Sequence, residues 1–429
     1  MSRITRRNFV LSVGAVSTAT SVLGWPALGQ AKASGGRVVV IGGGFGGATC
    51  AKYLRRLSSD IKVTLVERDA NFVTCPLSNA VLGGLYDMDF ITHDYKALRD
   101  EHGVKVVHDS AVDIDPDAKK VRLAGGSTLK YDRLVVSPGI DLQWDAIEGY
   151  NEAASATMPH AWQAGEQTMI LRRQLEAMPD GGVVIIAPPP NPFRCPPGPY
   201  ERASLIAHYL KNNKPRAKIR IFDAKPKFSK QPLFEQGWQA LYPGMIEWIS
   251  ETEGGAIDGV DVKAMAVKPT FGEPQRGDVV NVIPPQRAGA IAEVAGLTND
   301  SGWCPIDQRT FESRVQKHIH VIGDAAIANP MPKSGYAASS QGKVCATAIV
   351  ASLSGQELPE PSYVNTCYSL VGPDYGISVA AVYRLGDDGI AAVEGAGGVS
   401  PKDADAAFRL AESRYAVGWY QSITSDIWG

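Results

Sequence analysis

A glycine-rich turn near the start of the chain places the strongest constraint on its fold. The turn GGGFGG follows the apolar run RVVVI (37–41) directly and leads into the helical pattern ATCAKYLRRL. Gly42, Gly44 and Gly47 stand at the positions that allow a tight turn, close approach of a pyrophosphate, and close packing of helix on strand. A second strand, KVTLVE, ends 20 residues after Gly47 in Glu67, whose carboxylate suits a ribose. The pattern predicts a βαβ unit that binds a dinucleotide.

Two later segments indicate which dinucleotide is bound. YDRLVVSPGI (131–140) is typical of a strand that ends in a glycine turn, and HIHVIGDAA (318–326) of a strand that ends in Gly323 and Asp324. Both resemble the second and third sequence marks of the two-dinucleotide flavoproteins, which implies FAD with Asp324 on its ribitol chain. The same resemblance implies that MPKSGYAASSQG (331–342) begins a helix whose N-terminus faces the pyrimidine side of the flavin. The dipole of that helix would favour a reduced, anionic ring.

The strand expected to open a second nucleotide-binding unit is followed by prolines instead of glycines. GGVVIIA (181–187) leads into PPPNP (188–192). Proline lacks an amide donor and stiffens the turn, so this turn cannot wrap closely around a pyrophosphate. The sequence therefore predicts an electron donor other than NAD(P)H.

Cys195 lies just after these prolines. The segment PPGPYERASLIAHYLK that follows has apolar positions at helical spacing and a proline suited to a first turn. A thiol near a helix N-terminus is biased towards thiolate, and the displaced nicotinamide site favours redox chemistry; a small buried filler is the alternative. Of the other cysteines, Cys50 and Cys345 lie in apolar helical patterns typical of a core. Cys304 and Cys367 lie in loop-like sequence, and both are candidate partners.

The first 33 residues differ in kind from the rest. Arg3, Arg6 and Arg7 precede the modestly apolar run FVLSVGAVSTATSVLGW and the small-residue stretch AKA. This pattern predicts a twin-arginine export signal cleaved after Ala33, with a Sec signal as the alternative. No later segment offers the roughly 20 uninterrupted apolar residues of a membrane span, so a soluble periplasmic protein is expected, in a compartment that permits disulfides. The 43 basic and 45 acidic residues give no electrostatic footprint for nucleic acid.

The mature chain resembles the flavoprotein subunit of flavocytochrome c sulfide dehydrogenase, a relative of the sulfide:quinone oxidoreductases. The motifs that carry the resemblance are TCPLSN (74–79), PFRCPPGPYERAS (192–204), IPPQRAG (283–289), GDAAIANPMPKSGY (323–336) and SYVNTCYS (362–369). It implies an enzyme that oxidises hydrosulfide to sulfur or polysulfide and passes electrons through FAD to a c-type cytochrome subunit in a heterodimer. No C-x-x-C-H sequence occurs in this chain, so any haem is expected on the partner.

The resemblance also implies roles for individual residues. Cys75 is expected to carry FAD through a thioether, and Cys195 and Cys367 to form the redox disulfide, which leaves Cys304 structural. Hydrosulfide attack on that disulfide would give a persulfide and a thiolate. Glu201 matches a glutamate near the disulfide and is the candidate for proton transfer; the alternative is a first-turn carboxylate that only complements the helix dipole. No metal site is predicted, and the expected cofactor-binding residues are Gly42, Gly44, Gly47, Glu67, Cys75, Val112, Gly139, Gly323, Asp324, Lys333, Gly335 and Tyr336.

Together these patterns predict an α/β protein with two Rossmann-like dinucleotide-binding domains of the glutathione-reductase type and a smaller C-terminal domain. The FAD-binding domain is expected at 34–147 and 280–357, interrupted by a degenerate nucleotide-binding domain at 148–279. The C-terminal domain is expected at 358–429. Its aromatic, mixed-charge segment 405–429 suits a partner interface, with internal packing as the alternative.

Three other functions stay open. A sulfide:quinone oxidoreductase would share the half-reaction and would associate with a membrane. An NADH-dependent flavin oxidoreductase is disfavoured by the proline-filled turn. A non-catalytic flavin-binding subunit would have no need of a redox cysteine pair.

Overall fold

The structure is a computed structural model in which residues 35–429 are described. The predicted export signal at 1–33 therefore lies outside the described residues.

The first domain is built on a five-stranded parallel sheet. Its central strand, Arg37–Ile41, is the predicted RVVVI run, and it pairs with Lys62–Val66 on one side and Arg133–Val136 on the other. Strands Ile319–Val321 and Lys105–Val107 form the two edges. Beyond Arg37 the central strand is fully buried, as expected of a valine-rich strand in the middle of a parallel sheet.

Two helices pack against each other beside this sheet. Phe45–Leu57 follows the glycine turn directly, and Gly335–Ser354 begins after Ser334, whose hydroxyl caps it. The helices cross closely at Gly342, where a β-carbon would lie 2.6 Å from the carbonyl oxygen of Gly46. Glycine is therefore required at this crossing. Both helices lie where the sequence predicted them.

The second domain contains a four-stranded parallel sheet. The predicted GGVVIIA run supplies its strand Val183–Ala187, which pairs with Lys218–Phe222 and with Val279–Val282; Ile246–Ile249 forms the far edge. The strand Val279–Val282 thus continues this sheet beyond the boundary drawn at residue 279. The helices of this domain are Glu166–Ala177, Gly198–Asn213 and Gln231–Leu241.

The C-terminal part consists of a three-stranded antiparallel sheet and a long helix. Its strands are Ser362–Gly372, Tyr375–Gly386 and Gly389–Val399, and the helix is Ala406–Trp428. Cys367 therefore lies within a strand, not in the loop expected from its sequence. The β-branched and aromatic residues of SYVNTCYSLVG explain that strand better than a loop would.

Shorter elements connect these three parts. The remaining strands are Asn71–Val73, Thr92–Asp94, Ala111–Asp115, Lys120–Leu123, Thr128–Lys130, Ile140–Leu142, Ile257–Asp261, Ala266–Pro269, Gln275–Arg276 and Gln286–Ala288. The short α-helices are Ser78–Leu82, Lys96–Asp100 and Ala290–Val294, and the 3₁₀ turns are Asp89–Ile91, Trp144–Ala146, Ala154–Ala156, Glu251–Glu253 and Gly323–Ala325.

The C-terminal helix lies against the first domain. The ring of Trp428 stacks on Phe72 at 5.1 Å, and its Nε1 donates to the carbonyl oxygen of Gly43 at 3.2 Å. Tyr420 is also buried, so these aromatics follow the internal-packing alternative, whereas Tyr415 is 62% exposed. Within residues 35–429, no helix has both the length and the apolar character needed to cross a membrane.

Candidate active site

A cavity of about 820 Å³ is lined by all three parts of the chain. Its walls include the glycine turn, the Cys195 segment, the N-terminus of helix Gly335–Ser354 and the strand Ser362–Gly372. The predicted site residues that line it are Gly42, Gly44, Glu67, Cys75, Gly139, Cys195, Glu201, Gly323, Asp324, Gly335, Tyr336 and Cys367. Most of the predicted site is thus brought together in one place, although its members are far apart in sequence.

The glycine turn forms a cradle that side chains would fill. A β-carbon at Gly42 would overlap the carbonyl oxygen of Ser137, and one at Gly47 would overlap that of Gly42. Gly47 lies outside the cavity wall and serves the packing of helix on strand, as its position in the pattern predicted. Glu67 lines the cavity, and its Oε2 accepts a hydrogen bond from the N–H of Gly43 at 2.7 Å.

The side chain of Asp324 has a carboxylate oxygen that lacks a hydrogen-bond donor in the described residues 35–429. The residue is half-buried, and this oxygen, Oδ1, is inaccessible to solvent. Burial raises the pKa of this carboxyl, although Arg194 and Lys333 act to lower it. A buried acceptor is normally satisfied, so the open oxygen fits a hydroxyl donor of a bound ligand such as the ribitol of FAD. The sequence did not single out Gln341, whose side-chain oxygen accepts from Gly323 N–H at 2.8 Å beside this aspartate.

Val112 and Lys333 are the two predicted cofactor residues whose side chains lie outside the cavity. Val112 is 37% exposed on the strand Ala111–Asp115, and it is Ala111 that lines the cavity. Successive side chains of a strand point to opposite faces, which explains this difference of one position. The ammonium of Lys333 lies 3.7 Å from the ring centre of Trp303 and donates to the carbonyl oxygen of Asp324 at 2.6 Å. Lys333 therefore supports the main chain of the Asp324 turn from outside the cavity.

Cys75 lies at the cavity wall after the short strand Asn71–Val73. Its Sγ is 3.4 Å from the carbonyl oxygen of Trp162, which also accepts a hydrogen bond from Arg194. A half-buried thiol in the wall of a flavin-sized cavity fits attachment to a bound group. The thioether itself stays a prediction.

Cys195 sits in a strained, left-handed backbone conformation with φ of 57°. Its N–H donates to the carbonyl oxygen of Lys333 at 2.8 Å. At Gly198 a β-carbon would lie 2.7 Å from the ring of Trp162 and 3.1 Å from Cys195 Sγ, so glycine leaves room for the thiol. Burial raises the pKa of Cys195 well above its usual value, and the neighbouring Cys367 adds to the effect. The expected bias towards thiolate is therefore wrong, because desolvation outweighs the helix N-terminus.

Glu201 connects two elements of the site. It lies in the first turn of helix Gly198–Asn213; its Oε2 accepts from Asn79 Nδ2 at 2.9 Å and its Oε1 from Leu370 N–H at 2.8 Å. Burial raises the pKa of this carboxyl, although these two hydrogen bonds and nearby cations act to lower it. A buried carboxyl of this kind can hold a proton beside the two cysteines. The alternative role, in which Glu201 only complements the helix dipole, explains neither of these two hydrogen bonds.

All six cysteines are free thiols in the structure. Cys195 and Cys367 line the same cavity, and Cys367 is the first of the charged neighbours that raise the pKa of Cys195. Cys304, by contrast, is completely buried in the core, as are Cys50 and Cys345. The geometry thus favours Cys367 over Cys304 as the partner of Cys195, while the disulfide stays a prediction.

The nucleotide position of the second domain is closed by a buried ion pair. Asp223 follows strand Lys218–Phe222, where the first domain has Glu67 after its second strand. Lys225 Nζ lies 2.6 Å from Asp223 Oδ1 and donates to the carbonyl oxygen of Pro189 at 2.7 Å. The other oxygen of Asp223 accepts from two aromatic side chains. The Asp223 carboxylate, which stands where a ribose-binding carboxylate would be, is therefore buried, and Lys225 connects it to the proline turn.

Arg202 is a site residue that sequence reasoning missed. It is only 2% exposed, and its guanidinium donates to Asn79 Oδ1, the carbonyl oxygen of His160 and Asn281 Oδ1 at 2.9 to 3.1 Å. It also lies 5.1 Å from the ring centre of Trp162, and burial lowers its pKa to about 10. Its sequence signal is weak, because the same helix also carries Glu201 and Lys211. Its buried charge is solvated by neutral oxygens and lines the cavity.

Comparisons with known proteins place the chain in a class. Residues 36–167 match the family described as pyridine nucleotide-disulphide oxidoreductase. The solved structure of the sulfide:quinone oxidoreductase from Aquifex aeolicus superimposes with a TM-score of 0.71 over 91% of this chain and 92% of that chain, at 19% identity. The fold, the cradle and the unpaired Asp324 therefore define an α/β flavoprotein oxidoreductase that binds FAD, with the predicted fold class confirmed.

Two further family matches are more specific. Residues 168–284 match sulfide dehydrogenase (flavocytochrome c) flavoprotein chain, central, and residues 359–428 match flavocytochrome c sulphide dehydrogenase, flavin-binding. These matches support a sulfide-oxidising flavoprotein that is similar to the flavoprotein chain of flavocytochrome c sulfide dehydrogenase and related to the sulfide:quinone oxidoreductases.

Individual relatives agree with this family. Over 45 residues the chain is 71% identical to the sulfide dehydrogenase (flavocytochrome c) flavoprotein chain of Chlorobaculum thiosulfatiphilum, which is 10% of this chain and 94% of that relative. A mitochondrial sulfide:quinone oxidoreductase of Dictyostelium discoideum is 24% identical over 318 residues, 72% of this chain and 69% of that relative.

Proposed function

We propose that this chain is the flavoprotein subunit of a periplasmic sulfide dehydrogenase, which oxidises hydrosulfide at a Cys195–Cys367 disulfide and delivers the electrons to a c-type cytochrome. The observation that carries the proposal is the convergence of Cys195 and Cys367, from two different domains, on the wall of the cavity that contains the dinucleotide cradle. Glu201 joins them there, with its carboxylate bound to the strand of Cys367.

The chemistry starts with hydrosulfide in the cavity. Its sulfur bonds to one cysteine of the disulfide as the bond between the two cysteines breaks, and the other cysteine leaves as a thiolate that holds the electron pair. Glu201 exchanges a proton with the substrate sulfur after the persulfide has formed, a role that suits a carboxyl whose pKa is raised by burial. Arg202 keeps a positive charge at the wall where anionic sulfur enters.

The FAD site is built from residues of this chain that fit the cofactor. The turn at Gly42 and Gly44 would hold the pyrophosphate, Glu67 a ribose, and Asp324 the ribitol. Cys75 would attach the flavin through a thioether, as the family resemblance implies. Bound FAD supplies a two-electron acceptor for the cysteine pair and can return electrons singly.

The acceptor and the location follow from the family and from the chain itself. A C-x-x-C-H sequence does not occur in the chain, so the haem would belong to the partner. On the C-terminal helix, Trp419 lines the cavity and Tyr415, one turn earlier, is exposed, which supports this helix as part of the docking face. The quinone alternative is favoured by the relatives in Dictyostelium discoideum and Aquifex aeolicus, whose names state that acceptor.

A stepwise reduction experiment tests the function. The purified holoprotein is mixed anaerobically with sulfide, and separately with NADH, while flavin absorbance is followed. We expect sulfide to bleach the flavin and NADH to leave it unchanged; bleaching by NADH alone would refute the proposal. A c-type cytochrome and a soluble quinone analogue are then mixed separately with the reduced protein. If the quinone is reduced faster than the cytochrome, the acceptor is a quinone and the proposed cytochrome acceptor is wrong.

Location is tested in cells of the source bacterium. The wild-type chain should appear in the periplasmic fraction. A variant with Arg6→Lys and Arg7→Lys together should stay in the cytoplasm, because the twin-arginine pathway recognises the arginine pair. Periplasmic delivery of this variant would indicate a Sec signal.

A further inference from the structure

A buried lysine of the second domain lies against the strand that carries Cys367. Lys230 is 8% exposed and precedes helix Gln231–Leu241 with a left-handed φ of 61°. Its Nζ donates a hydrogen bond of 2.8 Å to the hydroxyl of Ser369. An ammonium buried on a neutral hydroxyl is costly unless an anion is available nearby. No role in the chemistry described above uses this charge.

The strand geometry places Lys230 on the side of Cys367. Cys367 and Ser369 are two residues apart in the strand Ser362–Gly372, so their side chains point to the same face. Because the ammonium bonds to Ser369, it lies on the face that also presents the Cys367 thiol. Lys230 therefore has a position from which it can act on a thiolate at Cys367.

The charges around the two cysteines differ. Burial raises the pKa of Cys367, Lys230 is the group that lowers it, and Glu201 adds to the rise. Burial lowers the pKa of Lys230, and Cys367 is the first of the groups that oppose this, followed by Glu201, Cys195 and Glu412. The cation and the Cys367 sulfur are thus each other's principal charged neighbours.

Lys230 also acts to lower the pKa of Cys195, but Cys195 comes after Cys367 and Glu201 among the groups that act on Lys230. Arg194 and Arg202 both interact with Cys195, together with the Cys75 thiol. However, the Arg194 guanidinium donates to the carbonyl oxygen of Trp162, and that of Arg202 donates to amide and carbonyl oxygens. Lysine has three N–H donors, and the structure shows one hydrogen bond from Lys230 within residues 35–429. Lys230 therefore keeps free N–H donors on the face of the strand that presents Cys367.

We propose that Lys230 is the charge partner of Cys367, and that it makes Cys367 the cysteine that leaves as thiolate when hydrosulfide attacks Cys195. This inference rests on the disulfide chemistry of the proposed function and adds its direction. The hydrosulfide sulfur bonds to Cys195 Sγ while the Cys195–Cys367 bond breaks. The electron pair of that bond goes to Cys367 Sγ, the proton stays on the terminal sulfur, and Cys195 becomes a persulfide.

The location of the persulfide tests the direction. Oxidised holoprotein is given less than one equivalent of sulfide anaerobically, quenched within milliseconds with an alkylating reagent, and digested for mass spectrometry. The persulfide should be found on the Cys195 peptide and the alkylated thiol on the Cys367 peptide. A persulfide on Cys367 would overturn the proposal.

Substitutions of Lys230 test the cause. In holoprotein treated with dithiothreitol, the pH dependence of alkylation of Cys367 is measured for the wild type, Lys230→Met, Lys230→Arg and the matched control Lys227→Met, since Lys227 is exposed in the same loop. Lys230→Met removes the ammonium beside the Cys367 thiolate. The midpoint pH of Cys367 alkylation should therefore rise by about 1 pH unit or more. Lys230→Arg and Lys227→Met should stay near the wild type.

The outcomes separate this inference from the proposed function. Unchanged alkylation in a Lys230→Met protein that retains its flavin would remove Lys230 from the site. If that variant does not fold, a Lys230→Arg midpoint outside the wild-type range, or a persulfide on wild-type Cys367, would still contradict the inference. If wild-type protein forms no persulfide and its flavin is not bleached by sulfide, the proposed function itself fails.

Discussion

Glu201 Oε1 accepts a hydrogen bond from the backbone N–H of Leu370 at 2.8 Å, three residues beyond Cys367 in the same strand. The helix that carries Glu201 begins three residues after Cys195. This contact therefore links the two chain segments that carry the cysteines. Burial of the carboxylate is tolerated because both of its oxygens accept hydrogen bonds.

Replacement of Glu201 by Gln should slow the reduction of flavin by sulfide. The amide keeps the shape of the side chain but cannot exchange a proton, and general acid–base catalysis typically contributes a factor of about 100 or more. Stopped-flow absorbance of the anaerobic protein measures the rate. Glu166→Gln, which changes an exposed first-turn carboxylate of another helix, is the control and should leave the rate unchanged. An unaltered rate in Glu201→Gln would leave Glu201 with a structural role only.

The wild-type protein should keep its flavin after acid denaturation, with an intact mass greater than that of the polypeptide by one FAD. Cys75→Ala should release flavin into the supernatant under the same treatment. Cys367→Ala serves as the control, because it removes another thiol of the same cavity wall and should leave the flavin attached. Flavin in the supernatant of the denatured wild type would refute the thioether.

Peptide mapping of the oxidised protein without reductant should recover Cys195 linked to Cys367. Both line the cavity, whereas Cys304 is completely buried in the core. Mass spectrometry before and after reduction identifies the linked pair. A peptide that links Cys195 to Cys304 would contradict the pairing.

Gly47→Ala should impair both folding and flavin binding. Its β-carbon would overlap the carbonyl oxygen of Gly42, so the glycine turn or the first helix must shift. Overpacking of this kind lowers the free energy of unfolding by about 1–3 kcal/mol. Urea denaturation and flavin content are measured beside Gly418→Ala, where no atom lies within 4 Å of the new carbon. Full flavin content in Gly47→Ala would show that the turn adapts.

Asp223→Asn should destabilise the protein without affecting sulfide chemistry. The change leaves Lys225 buried without its anion, and breaking a buried pair typically costs about 3–5 kcal/mol. Urea denaturation should show the loss, whereas Asp180→Asn, which breaks the exposed pair with Arg216, should change stability little. The rate of flavin reduction by sulfide should stay at the wild-type value. Reduction by NADH in Asp223→Asn would instead show that the ion pair is what closes a working nucleotide site.

Local sequence patterns were sufficient for the first dinucleotide unit. The glycine turn, Glu67 and the Gly323–Asp324 pair each belong to one strand and the turn after it, so their spacing along the chain determines their geometry. The strand at 183–187 and the proline turn were predictable for the same reason. The difference of one position between Val112 and the cavity-lining Ala111 arises because the face of a strand alternates with each residue.

The chain's own sequence could not decide between Cys304 and Cys367 as the partner of Cys195; the family resemblance selected Cys367. In the structure Cys304 packs into the core and Cys367 reaches the cavity. Sequence periodicity cannot show this, because the choice depends on how the C-terminal sheet packs against the other two domains.

The sequence by itself determined the fold class, the FAD-binding unit and the loss of a glycine turn in the second domain, since each depends on contacts within a few residues. Only the tertiary structure decided the electrostatics of the cysteine site. Lys230, Glu201 and Arg202 acquire their effect because folding buries them together, where a charge is poorly screened and must be balanced by its neighbours. The same burial raises the pKa of Cys195 against the expectation from its place before a helix.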